Sequence, residues 1–148
     1  MTFKKLATLA MATVVSASLL VGCSGSKESA KDDKITVAMI TDVAGVNDQS
    51  FNQSAWEGLQ RAEKELGIEV KYLESKQDAD YVPNVETFVD DEYDLIVGVG
   101  YKLEDAIKKA SKDYPEKQFA IIDSVVEGDN VNSLTFEDNV SGFLTGLV

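Results

Sequence analysis

Residues 35 to 67 read ITVAMITDVAGVNDQSFNQSAWEGLQRAEKELG, and they hold the fold in miniature. The run Ile35 to Ile40 is almost continuously apolar and rich in β-branched side chains, the pattern of a strand buried on both faces. After a polar loop, Phe51, Ala55, Leu59, Ala62 and Leu66 recur at helical spacing. Gly67 then stands where a helix C-cap is expected. The stretch therefore predicts strand, loop and amphipathic helix.

The same unit repeats along the chain. Further apolar runs occur at Ile68 to Leu73, Leu95 to Val99 and Phe119 to Ile122, with a weaker one at Val131 to Phe136. Between them, Val82, Val85, Phe88 and Val89 share one side of a short helix with Pro83 near its start. A third helix carries Leu103, Ala106, Ile107, Ala110 and Tyr114 on one stripe and stops at Pro115. A fourth begins near Asn139 and is expected to run on to Val148. Strand and helix alternating in this way predict an α/β fold, a parallel sheet covered on both faces and joined by right-handed crossovers. Such sheets bind ligands at the carboxyl ends of their strands, where strand order reverses.

The N-terminus reads differently. Lys4 and Lys5 precede the apolar run Leu6 to Val21, so residues 1 to 22 are expected to be a secretory signal. Leu20-Val21-Gly22-Cys23 resembles a bacterial lipobox, in which the cysteine is lipidated and becomes the first mature residue. Cys23 is the chain's single cysteine, so no disulfide partner competes for it. Residues 24 to 34, SGSKESAKDDK, have the composition of a flexible tether, and residues 35 to 148 form the α/β part. The expected location is the outer face of a membrane, held by lipid and not by a span.

Composition narrows the chemistry. A formal net charge of −12 argues against nucleic acid and anionic headgroups as partners. With no histidine and only the lipobox cysteine, the usual ligands of zinc, iron and copper are missing, as are His-based triads. No cofactor or metal is expected. The acidic group Asp90, Asp91, Glu92 and Asp94 falls at a helix-to-strand turn without calcium-loop spacing and reads as a solvated turn.

The loop after the first strand, residues 42 to 53, has one glycine, Gly45, and two aspartates, which argues against a phosphate cradle. Gly98-x-Gly100 lacks the third glycine of a dinucleotide fingerprint. Ser50-Phe51-Asn52-Gln53 fits a capping box, although Asp48 could serve as the cap in place of Ser50. Phe51 lies on the core stripe but, in the first helical turn, could equally project into a cleft and stack on a flat ligand. Trp56, about 140° round the helix from Phe51, reads as packing. Asp42 and Asp123, at two strand ends, could accept hydrogen bonds from hydroxyl or ring N–H groups, or serve as turn formers. Carboxylates and amides suit a neutral, hydroxyl-bearing ligand. The same two aspartates admit a competing reading as the acid/base pair of a surface hydrolase, which no recognisable catalytic motif supports.

These residues resemble the basic membrane protein family of substrate-binding lipoproteins, which includes purine-nucleoside receptors of ABC importers. The resemblance is carried by Asp42, Gly45, Asp48-Gln49-Ser50-Phe51-Asn52 and Ala55-Trp56-Glu57-Gly58, and it continues through DLIVGVGY, FAIIDS and NSLTFEDNVSGFLTGLV. It implies a type I periplasmic-binding-protein fold, two α/β lobes around a nucleoside, delivery to an ABC permease and no catalysis. Carried over, Phe51 matches the stacking aromatic, Asp42 and Asp48 the polar loop, and Asp123 the aspartate after the fourth strand. Asn47, Asn52 and Tyr101 complete the candidate set. The second lobe of the family has no counterpart in these 148 residues, so the chain is expected to be the first lobe alone, truncated before the second.

Overall fold

A computed structural model of the chain describes residues 34–147; the expected signal, Cys23 and all of the expected tether but Lys34 lie outside the described residues. Five strands form one sheet in the order β2-β1-β3-β4-β5: β1 (Thr36–Thr41), β2 (Glu69–Glu74), β3 (Leu95–Val99), β4 (Gln118–Ile122) and β5 (Val131–Leu134). Every pairing is parallel, with Val37 opposite Val70 on one side of β1 and opposite Leu95 on the other. The helices are α1 (Phe51–Leu66), α2 (Tyr81–Asp90), α3 (Glu104–Asp113) and α4 (Asp138–Thr145). Short 3-10 turns, Asp78–Asp80 and Tyr101–Leu103, lead into α2 and α3. The α/β architecture expected from the alternation is what the chain adopts.

The continuous apolar runs follow from a core on each face. Ala38, Ile40, Ile96, Phe119 and Ile121 face α2 and α3, packing on Val85, Phe88, Leu103, Ile107 and Ala110. Their neighbours Val37, Met39, Val97, Val99 and Ala120 face α1, where Trp56 and Leu59 cover them. Trp56 also meets Tyr72 edge-on at 4.7 Å, as its expected packing role requires. Gly98 sits where a Cβ would come within 3.0 Å of Ile107 Cγ1, so this glycine serves helix-to-sheet packing and not a nucleotide.

Several boundaries differ from expectation. β1 begins at Thr36, leaving Ile35 exposed, and β5 ends at Leu134, so Phe136 is not a strand residue. The fourth helix does not run to the end of the chain. It stops at Thr145, with Gly146 as cap, and two glycines within five residues, Gly142 and Gly146, weaken it. None of its residues is buried. Asp94 is more than a solvated turn residue: its Oδ2 accepts from Thr36 N at 2.7 Å and from Thr36 Oγ1 at 2.8 Å, tying the start of β1 to β3. Among the described residues no acidic group is arranged to hold a metal. Nor is any described helix long and apolar enough to cross a membrane.

Candidate functional site

Strand order places the site. From β1 the chain crosses to β2 on one side and later to β3 on the other, so the switch point lies between the carboxyl ends of β1 and β3. Asp42 follows β1 there, and Gly100-Tyr101-Lys102 follow β3. A depression of about 320 Å³ opens at this edge, lined by Asp42, Asp48, Phe51, Asn52, Tyr101, Lys102 and Asp123 among others. Six of the seven candidate ligand residues therefore share one concavity. Asn47 is exposed on the same loop and is not part of the lining.

The loop is held open by its own polar groups. Gly45 at φ 73 and Gln49 at φ 54 make two left-handed corners. Glu74, at the end of β2, accepts from Val46 N–H at 2.8 Å, and a Cβ at position 45 would lie 3.1 Å from the same Oε1. A β-branched or bulky residue at position 45 would thus meet both strain and the carboxylate that pins the loop.

The capping-box expectation for Ser50 and Gln53 is corrected. The Ser50 side chain makes no cap hydrogen bond, and Gln53 Nε2 donates to Glu57 Oε1 at 2.9 Å instead of reaching back. Asp48 is the cap. Its carboxylate accepts from the N–H groups of Ser50 at 2.8 Å, Gln53 at 3.0 Å and Asn52 at 3.1 Å. The turn at Gln49 swings Asp48 over the helix end, and backbone φ −145, ψ −132 leaves Ser50 outside a capping geometry. Partial burial raises the Asp48 carboxyl, but the bonds from Gln53, Ser50 and Asn52 together outweigh it and hold the group below its ordinary range.

Asp42 is clamped from within. Its Oδ1 accepts from Ala44 N at 3.0 Å and Asn52 Nδ2 at 2.8 Å, while Lys102 Nζ lies 3.8 Å from Oδ2. Asn52 is 2% exposed, and its Oδ1 is a buried acceptor without a partner in the structure. Asn52 thus orients Asp42 at the lining of the depression, while its own carbonyl stays buried.

Phe51, open between core and cleft on pattern alone, is 44% exposed and stands beside the depression. It does not pack in the core. Phe136 meets it edge-on, ring centroids 6.1 Å apart. The two rings, with Ile122 and Ala55, line a second, apolar concavity of about 520 Å³ that shares Ser50 and Phe51 with the first. Tyr101 is 66% exposed at the rim. Asp123 takes φ 62 directly after β4, and its N–H donates to Leu134 O at 2.8 Å. A non-glycine residue in that region is held there by its surroundings, and such positions concentrate at functional edges.

Sequence reasoning missed Lys102, Glu74 and Phe136. Lys102 has the look of a solvated lysine at a helix start, and Phe136 that of a strand end. Glu74 closes a strand, with nothing local to link it to a loop 28 residues earlier.

An open half-cleft at the switch point of a parallel sheet, offering hydrogen-bond acceptors around an exposed ring, is what a solute-binding lobe presents. Comparison with known proteins gives the family. Residues 35–148 match the model of the PnrA-like ABC transporter substrate-binding proteins, and the chain belongs to that family. It is 45% identical to a CD4+ T-cell-stimulating antigen of Listeria innocua over 98% of its own length. It is 39% identical to the ABC transporter nucleoside-binding protein BmpA of Lactococcus lactis over 97%. In each case it spans 44% of the relative, a little under half. Among solved structures it resembles a solute-binding protein of an ABC transporter system from Aeropyrum pernix K1. The TM-score is 0.72 at 34% identity, covering 77% of this chain and 32% of that one. The family is one of substrate-binding proteins of ABC transporters.

Proposed function

We propose that the chain is the ligand-holding first lobe of a lipid-anchored substrate-binding protein that captures nucleosides, purine nucleosides above all, and hands them to an ABC permease. The observation that carries this is the exposed Phe51 ring beside Asp42 in the depression at the β1/β3 switch point. A base stacks on the ring, and carboxylate and carbonyl oxygens accept from its N–H groups or from ribose hydroxyls. The arrangement disfavours nucleotides, because three aspartates and one lysine line the depression and a phosphate would meet net negative charge. The name of the Lactococcus relative supports the same ligand class.

Cys23 supplies the anchor in this reading, with the protein on the extracytoplasmic face. Asp42 and Asn52 face the donor groups of the ligand, Tyr101 and Asp123 line the rim, and Asn47 lies on the loop nearby. Asp48 acts mainly by holding the first turn of α1, because its oxygens are engaged by the backbone.

The test is calorimetric titration of the protein with guanosine, inosine, ribose and glucose. Heat of binding from the nucleosides and none from the free sugars supports the reading. Binding of ribose or glucose in place of either nucleoside overturns it.

A further inference from the structure

An exposed aromatic ring amid carboxylates is also a generic site for organic cations, which stack on the ring face and pair with the acid groups. Asp42, Asp48, Asp123 and Phe51 make such a set, and they line one depression. Lys102 is the single cationic side chain in that lining. Its ammonium lies 3.8 Å from Asp42 Oδ2, close enough to neutralise the carboxylate and too far to hydrogen-bond with it. Asp42 Oδ1 is already engaged by Ala44 N–H and the Asn52 amide. The lysine supplies the missing positive charge without taking the position where an uncharged N–H or O–H can approach Oδ2.

We propose that Lys102 is a specificity-determining residue of the cleft: it is a tethered internal cation that excludes external ones and reserves the site for uncharged hydrogen-bonding ligands. This rests on reading the depression as the ligand site. An arriving ammonium or guanidinium must either displace the Lys102 side chain or sit against it, and like charges in one small cavity repel. A neutral nucleoside meets neither obstacle.

The experiment titrates native protein, Lys102→Met and Lys102→Arg with agmatine and with tetramethylammonium at low and high salt. Guanosine is titrated alongside. Lys102→Met keeps the length of the stem, and because the Lys102 side chain is 37% exposed the variant is expected to fold, which its melting curve checks. The expected result is a gain: Lys102→Met binds the cations roughly tenfold or more tightly than native protein, less so as salt rises. Lys102→Arg, which keeps the charge, excludes them as the native protein does. Equal cation affinity in native and Lys102→Met proteins overturns the assignment, as does a gain of equal size in Lys102→Arg. Guanosine failing to bind native protein removes the nucleoside reading instead, and the cation comparison still decides the role of Lys102.

Discussion

Replacing Asp48 by alanine separates the observed cap from the one the sequence suggests. The change removes the acceptor of three backbone N–H groups at the start of α1 at once. Loss of a side-chain N-cap costs about 0.5 to 2 kcal/mol, and the charged acceptor and triple engagement place Asp48→Ala in the upper half of that range. For a domain of this size that is a fall in Tm of roughly 4 to 8 °C. Ser50→Ala, by contrast, is expected to cost under about 0.5 kcal/mol, because the hydroxyl makes no cap bond. Urea and thermal unfolding followed by circular dichroism at 222 nm measure both. The pH dependence fixes the sign. The folded Asp48 carboxyl lies below its ordinary value of 3.8, so its stabilising contribution is complete above the unfolded value and fades as pH falls through the folded one. The gap between native and Asp48→Ala proteins is therefore widest near neutral pH and closes in acid. A Ser50→Ala loss equal to that of Asp48→Ala would refute the reasoning, as would a gap that persists once Asp48 is protonated.

Other changes reach other parts of the argument. Phe51→Ala is expected to weaken nucleoside binding by roughly 1 to 3 kcal/mol with little loss of stability, since the ring is half exposed; calorimetry and melting read the two effects separately. Asn130 is buried and its Nδ2 lies within 3.2 Å of the carbonyl oxygens of Ser111, Tyr114 and Lys117, so it ties down the end of α3 and the turn after it. Asn130→Leu should destabilise the protein by about 1 to 3 kcal/mol in urea unfolding, because the carbonyls lose their donor under a side chain that cannot replace it. Cys23→Ser should abolish incorporation of labelled palmitate and move the protein from the membrane fraction to the medium or periplasm.

Much of the fold was legible because burial on both faces writes itself as unbroken apolar runs. Val37 and Ala38 face opposite helices, and both had to be apolar. Gly67 was equally plain, with φ 72 and its N–H on Glu63 O. The candidate site was legible to the extent that it follows from strand ends: position alone set Asp42 and Asp123 at the edge where the depression opens. What escaped depends on where the chain goes in space. The spacing of Ser50 and Gln53 satisfies the capping rule, yet the left-handed turn at Gln49 hands the role to Asp48. Lys102 looks solvated until strand order sets it against Asp42, a residue 60 positions earlier. Phe136 reads as part of a strand until the ladder ends at Leu134 and frees its ring to meet Phe51.

The place of β1 between β2 and β3 has a further consequence, for the order of folding. β1, α1 and β2 are contiguous in sequence and can associate early, whereas the second neighbour of β1 is β3, whose paired residues lie 58 positions away. The groove between β1 and β3 exists only after that distant strand has docked. A nascent chain therefore builds the wall that carries Asp42 and Phe51 well before the wall that carries Lys102, and ligand capture becomes possible only once the later crossover has closed. Recovery of ligand binding during refolding should accordingly lag behind recovery of helical signal, making the ligand a reporter of completed topology.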